Sequence, residues 1–191
     1  MTANHEQHVI ETVRLELHLV SPKVLQQLFD GTFDNSLILE QGFTNPHNVL
    51  IDRPNPVRWR APQVAKDITL NRWFIRWIVL RDIREVIGSI SFHAPPNGSG
   101  MIEVGLEIVP EFQNNGYAKE ALKAFWLWAI VQPDVKILRY TVSPDNAASL
   151  AVIQNFGFDY VGQQIDEEDG PEDIYEMNVD EFKSLYCEND N

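Results

Sequence analysis

The sequence predicts an α/β domain with a mixed sheet and helices packed on it. Two observations carry that class. Stretches of period-two hydrophobicity alternate with stretches of helical spacing, in the order strand, helix, possible helix, three strands, helix, strand, helix, two strands. The hydrophobic fraction is 44% over 191 residues, with one cysteine, Cys187, so the chain can bury a core without disulfide staples.

Residues 1–8 are polar and patternless and read as a frayed terminus. Across residues 11–20, Val13, Leu15, Leu17 and Leu19 fall on one face and Arg14, Glu16 and His18 on the other, the pattern of a half-buried strand. Ser21-Pro22 then reads as a helix start, with Ser21 as N-cap, Pro22 in the first helical position, and Val24, Leu25, Leu28 and Phe29 following at helical spacing. Residues 35–72 hold Pro46, Pro54, Pro56 and Pro62 and little period. A helix is placed over 63–71, and the irregular remainder reads as a binding loop or lid.

From Trp73 the pattern sharpens. Residues 73–80, rich in aromatic and β-branched side chains, predict a strand, 81–84 a polar turn, and 86–92 its partner. Gly88 inside the partner marks a bulge or a close backbone approach. A loop with Pro95, Pro96, Asn97, Gly98 and Gly100 leads to a strand over 101–109, stopped by Pro110. Residues 117–131 form an apolar helix, 137–142 a strand, and 146–156 a second helix closed by Gly157. Two last strands, 160–164 and 174–179, flank an acidic connection. The chain divides into a flexible start (1–10), one domain (11–180) and an acidic tail (181–191).

Charge is unevenly spread. The net value is −13, of which residues 165–191 carry −10 and residues 1–164 only −3. The absence of a basic footprint argues against nucleic-acid binding, while the acidic end permits cationic ligands. The longest apolar stretches, near 73–80 and 124–131, fall short of the roughly 20 residues that span a bilayer, and no leader pattern is visible, so a cytoplasmic protein is expected. A cysteine-based zinc site is excluded, and His18, His47 and His93 show no ligand spacing, so no metal is expected. Trp73, Trp77, Trp126 and Trp128 read as core, and Trp59, in the irregular segment, as the best candidate to line a pocket.

The most informative stretch runs from Ile108 to Ala118. A strand ends, the chain turns through Gln113-Asn114-Asn115, and a helix opens at Gly116. The first amides of a helix lack partners and carry partial positive charge, and a glycine there lets a phosphate come close. Neither a Walker lysine pattern nor G-x-G-x-x-G is present. A second motif, Ser143-Pro144-Asp145-Asn146-Ala147-Ala148-Ser149, follows a strand, and Phe156-Gly157-Phe158 closes the next helix.

With these in order, residues 12–179 resemble the GCN5-related N-acetyltransferase (GNAT) superfamily, most of all its RimJ/RimL-type branch. Thr12-Val13-Arg14-Leu15-Glu16-Leu17 resembles that branch's opening strand, Val86-Ile87-Gly88-Ser89-Ile90 its central hairpin, and Ile102-Glu103-Val104-Gly105-Leu106 the strand before its cofactor loop. The resemblance implies a mostly antiparallel sheet whose central parallel strands splay apart, acetyl-CoA as co-substrate, and an amine as acceptor, in a monomer or homodimer. It implies that the backbone of Leu106, Glu107 and Ile108 meets the pantetheine amides, that amides in Gln113, Asn114, Asn115, Gly116, Tyr117, Ala118 and Lys119 hold the pyrophosphate, and that Asn146 bonds the pantetheine arm. Many members carry basic residues where Gln113, Asn114 and Asn115 stand.

Acetyl transfer needs an uncharged amine, a held oxyanion and a protonated or hydrogen-bonded leaving thiolate. Glu103 and Glu107 share a strand face, and either could take the amine proton. The Ile108 N–H is the expected oxyanion donor. Many relatives protonate the thiolate with a tyrosine at the position that is Ile153 here, and Ser149, matching a serine of RimJ/RimL-type enzymes, is the substitute that also touches the cofactor. Thr141 stands where some protein N-terminal acetyltransferases have glutamate. The missing tyrosine and neutral loop leave open a non-catalytic CoA-binding or regulatory module. In the implied fold the six carboxylates among residues 166–173 reach the rim of the acceptor cleft, which favours a cationic acceptor.

Overall fold

Thr12 and Val13 interrupt what alternation suggests is one strand. In the computed structural model, which describes residues 8–166 and 170–187, the chain forms strand β1 (Val9–Glu11), turns, and returns as β2 (Leu15–Leu19). The Thr12 side chain closes the turn: its Oγ1 accepts from the Leu15 N–H at 2.7 Å, and the Thr12 N–H donates to the Leu15 carbonyl at 2.9 Å. Val13, expected on the buried face, is therefore 91% exposed at the tip, while Leu15 and Leu17 are buried. The remaining elements are α1 (Pro22–Phe29), α2 (Ser36–Leu39), α3 (Asn55–Lys66), β3 (Arg76–Leu80), β4 (Glu85–Phe92), β5 (Met101–Ile108), α4 (Tyr117–Ala129), β6 (Ile137–Val142), α5 (Ala147–Phe156), β7 (Asp159–Asp166), β8 (Gly170–Asn178) and α6 (Val179–Tyr186). The α/β class holds, with mostly antiparallel pairing and one parallel pair, β5 with β6.

The elements group into two compact units, Met1–His93 with Leu106–Phe125, and Ala94–Gly105 with Trp126–Asn191. In the first, β1, β2, β3 and β4 pair antiparallel in sequence order. The end of β5 follows beside β4, where the Val109 N–H donates to the Ile87 carbonyl at 2.9 Å. Both readings of Gly88 apply. The β3–β4 register slips between Ile78↔Gly88 and Val79↔Val86, a bulge, and a Cβ on Gly88 would collide with the Glu107 carbonyl oxygen. Helix α1 starts as expected, with Ser21 Oγ accepting from the Val24 N–H at 3.3 Å, and buries Leu25 and Leu28. The core closes with Phe92 stacked on Phe125 at 4.1 Å and Trp73 edge-on to Phe92.

The helix placed over 63–71 is a correction. Helix α3 begins at Asn55 and holds Pro62 in its interior, and a 3₁₀ stretch, Ile68–Trp73, follows it. An interior proline costs roughly 3 kcal/mol relative to alanine. Here Val57, Ala61 and Val64 are buried, and Arg60, itself buried, donates from Nε to the Phe92 carbonyl at 3.0 Å. Tertiary anchoring thus outweighs the breaker.

In the second unit the first residues of β5 pair parallel with β6, from Met101↔Ile137 to Val104↔Tyr140. β6 pairs antiparallel with β8, and β8 with β7. The last two strands are longer than expected, so Asp166, Glu172 and Asp173 belong to a hairpin rather than to a loose loop, and Glu167, Glu168 and Asp169 lie outside the described residues. Helix α5 runs from N-cap Asn146 to Gly157, whose φ of 75° is the left-handed cap that favours glycine. Helix α6 had no sequence forecast. Its Phe182 packs edge-on to Trp126, and Trp126 stacks on Phe158 at 4.8 Å. Trp73, Trp77, Trp126 and Trp128 are buried, as read.

Candidate active site

In the first unit, β5 hands over to α4 through a 3₁₀ turn, Pro110–Phe112. The amide side chains fold the turn onto itself. Gln113 Nε2 donates to the Ile108 carbonyl at 2.8 Å, and Asn115 Nδ2 to the Gln113 carbonyl at 2.8 Å. Asn114 and Gly116 both sit at positive φ, 61° and 79°. Gly116 accepts the first helical bond, from Glu120 N–H at 3.1 Å, so the amides of Tyr117, Ala118 and Lys119 come first in the helix. Apart from its chain neighbours and its own helix backbone, the position of a Gly116 Cβ meets only Arg14 Nη2, at 3.5 Å, among the described residues. An open face over the first amides of a helix fits a phosphate group.

Arg14 comes from the β1–β2 turn. Its Nε donates to Glu120 Oε2 at 2.7 Å, its backbone N–H to Glu120 Oε1 at 2.8 Å, and its Nη1 to the Asn115 carbonyl at 3.0 Å. The guanidinium lies 4.5 Å over the Tyr117 ring, and Thr12 Oγ1 donates to Glu120 Oε1 at 2.6 Å. Burial alone would raise the Glu120 carboxyl, but the bonds from Thr12 and Arg14 and the Arg14 charge together hold it below the usual range.

The same unit holds a cleft of about 360 Å³, with Glu107, Gly88, Arg53, His47 and Asp52 among its walls. One wall is the irregular segment, stapled by the buried Asn45: its Oδ1 accepts from the Val49 N–H at 2.9 Å and its Nδ2 donates to the Val49 carbonyl at 3.2 Å. Leu50, buried, is held at φ 65°, a conformation leucine rarely adopts. Glu107 forms an ion pair with Arg53. The Glu107 carbonyl is directed at Gly88, and by strand alternation the backbone groups of Leu106 and Ile108 face the edge away from β4. Trp59, expected to line a pocket, is not among these walls; it is 52% exposed with Arg58 over its ring. His47, expected in solvent or core, is a wall residue, edge-on to Phe112.

In the second unit, Thr141 Oγ1 donates to Glu103 Oε1 at 2.7 Å. Asn146 spends its Oδ1 on the Ser149 N–H at 3.0 Å, as an N-cap. Burial pushes the Tyr140 phenol up, and the Ser149 side chain pulls it back only in part. Sequence reasoning missed Tyr140, Arg53 and the reach of Arg14. The first two carry no local signal, whereas Arg14 lies within the Thr12-to-Leu17 motif. Among the described residues no three His, Cys, Asp or Glu side chains gather into a metal-holding group, and no helix is long and apolar enough to cross a membrane.

The model of the acetyltransferase (GNAT) domain matches residues 40–159, and the chain belongs to this family. Among curated proteins it is similar to YoaA of Bacillus subtilis (strain 168), an uncharacterised N-acetyltransferase, at 35% identity over 46% of this chain and 50% of YoaA. It spans half of that relative's length. The uncharacterised N-acetyltransferase YjdG of the same organism is 26% identical over 78% of this chain and 89% of YjdG. Among solved structures, RimL, a ribosomal L7/L12 α-N-protein acetyltransferase in complex with coenzyme A, aligns with a TM-score of 0.61 and 21% identity, covering 90% of this chain and 98% of RimL. The ribosomal-protein-S5-alanine acetyltransferase of Vibrio fischeri aligns at 0.63 with 15% identity, over 92% and 98%. These structures share the fold.

Proposed function

We propose that this protein transfers an acetyl group from acetyl-CoA to an amine. The observation that carries the reading is the strand–turn–helix at residues 108–119, where Gly116 opens its face over the first amides of α4 in a family member. The pyrophosphate is held by amides from Asn114 to Lys119. The pantetheine amides meet the backbone of Leu106 and Ile108 rather than Glu107, whose carbonyl faces Gly88. With Asn146 Oδ1 taken by the cap, its Nδ2 is the group left for the pantetheine arm.

The acceptor loses its proton to a carboxylate of β5, Glu103 or Glu107. The Thr141 hydroxyl orients the first and the Arg53 guanidinium the second. The Ile108 N–H faces away from β4 and serves as oxyanion donor. Ser149, backed by the buried Tyr140 phenol, donates toward the leaving sulfur and so takes the role that Ile153 cannot fill. The engagement of both carboxylates favours a second reading, a CoA-binding module without turnover.

Release of the CoA thiol, followed across peptide N-termini, polyamines, aminoglycosides and amino-acid derivatives, tests the reading. Turnover with any of these supports it, and CoA binding without turnover selects the module. Gly116→Asp in a folded protein should lose CoA binding, because a carboxylate would occupy the phosphate position. Unchanged affinity would remove the cradle from residues 114–119.

A further inference from the structure

The phosphate loop has no charge of its own, since residues 113–115 read Gln-Asn-Asn. A cation reaches it nonetheless, from 101 residues earlier in the chain. We propose that Arg14 is a cationic member of the phosphate cradle, and that it makes the protein select a phosphate-bearing thioester over a phosphate-free one. The inference rests on the acetyl-CoA reading above.

Three contacts fix the side chain before any ligand arrives: the Nε bond to Glu120, the bond to the Asn115 carbonyl and the Tyr117 ring beneath the guanidinium, while the backbone N–H bond to Glu120 holds the turn. A cation held this way loses little conformational freedom when an anion binds. Glu120 does not consume the whole guanidinium. It takes Nε, its other oxygen is shared by Thr12 and the Arg14 backbone, and Nη2 is left pointing at the open face of Gly116, 3.5 Å from the Cβ position. The Arg14 side chain is 42% exposed. Guanidinium matches phosphate oxygens in geometry and charge. The basic residues absent from the loop are thus replaced by one residue of the β1–β2 turn, which the sequence places in a different motif altogether.

The test compares Arg14→Gln with the unsubstituted protein. Calorimetry with CoA is run at 20 mM and 300 mM salt, and steady-state rates are measured with acetyl-CoA and with S-acetylpantetheine, which has no phosphate. The expected result is a CoA dissociation constant raised roughly tenfold or more at low salt, with a flatter salt dependence and an unchanged rate constant for S-acetylpantetheine. Equal losses with both donors would assign Arg14 a structural role and overturn the proposal, as would unaltered CoA affinity. Should Arg14→Gln not fold, Glu120→Gln decides. With the neighbouring negative charge removed, CoA binding should depend more steeply on salt if the cation acts on phosphate, and an unchanged or flatter salt dependence overturns it. If the unsubstituted protein binds no CoA at all, the acetyl-CoA reading fails, and the role of Arg14 fails with it. If only the variants match the unsubstituted protein, Arg14 alone is dismissed.

Discussion

Glu103 and Glu107 lie four residues apart on β5 but meet different chemistry. A hydroxyl from Thr141 holds one, and an exposed surface cation, Arg53, holds the other. The Thr141 hydroxyl orients Glu103 for the role of base, while the Arg53 pair must open before Glu107 can take up a proton. Glu103→Gln should therefore lower turnover by about 10²–10⁴-fold, the usual contribution of a general base, with CoA affinity near normal. Ser149→Ala and Tyr140→Phe should each cost less, since neither removes the base. Full activity of Glu103→Gln across pH 6–9 would move the base to Glu107 or to water. The Glu103 and Ser149 positions were readable from motif spacing. The Thr141 bond to Glu103, Tyr140 and Arg53 were not, because a partner two strand positions along, or on a distant loop, leaves no periodic trace.

At the scale of elements, the β1–β2 turn and the first turn of α4 are joined through Glu120. Its carboxyl is lower in the folded protein than in the unfolded chain, so the joint stabilises the fold fully above the unfolded value, near 4.5. That contribution is lost as pH falls through the lower folded value. Glu120→Gln should be less stable near neutrality, by roughly 1–3 kcal/mol for bonds to a charged group. It should also lose less stability than the unsubstituted protein between pH 5 and pH 3, as urea denaturation at a series of pH values would show. An equal acid slope in both proteins would place the titration elsewhere. Elements with strong local signals, β6 and α5 with its Gly157 cap, were legible almost to the residue. Helix α3 was not, since Pro62 reads locally as a start and only the burial of Val57, Ala61 and Val64 explains its place in the interior. The β7–β8 hairpin was also hidden, because its flanks carry carboxylates that accept from cross-strand glutamines: Gln163 donates to Asp173 and Gln164 to Glu172.

Across the whole molecule, a charge of −13 is concentrated in residues 165–191. Such a field extends about one Debye length, ~8 Å at physiological salt, and attracts cations. We propose a cationic acceptor on this ground. Replacing Asp166, Glu167, Glu168, Asp169, Glu172 and Asp173 by their amides should raise the acceptor Michaelis constant and flatten its salt dependence. The constant for acetyl-CoA should stay nearly unchanged. A neutral preferred acceptor, or no effect at low salt, would leave the hairpin a solvated connection.

The Thr12 and Arg14 bonds to the start of α4 also bear on the order in which the chain acquires its shape. They close loops of 101 to 108 residues. Local hairpins and helices form within microseconds, while contacts at such separation must first overcome loop-closure entropy. During synthesis the first strand emerges more than a hundred residues before its partner helix exists, and at 5–20 residues per second it waits on the order of 5–20 s. Residues 113–119 therefore gain their Arg14 contacts only after the chain has been made at least as far as Glu120, and the donor site proposed there would be among the last parts of the first unit to mature.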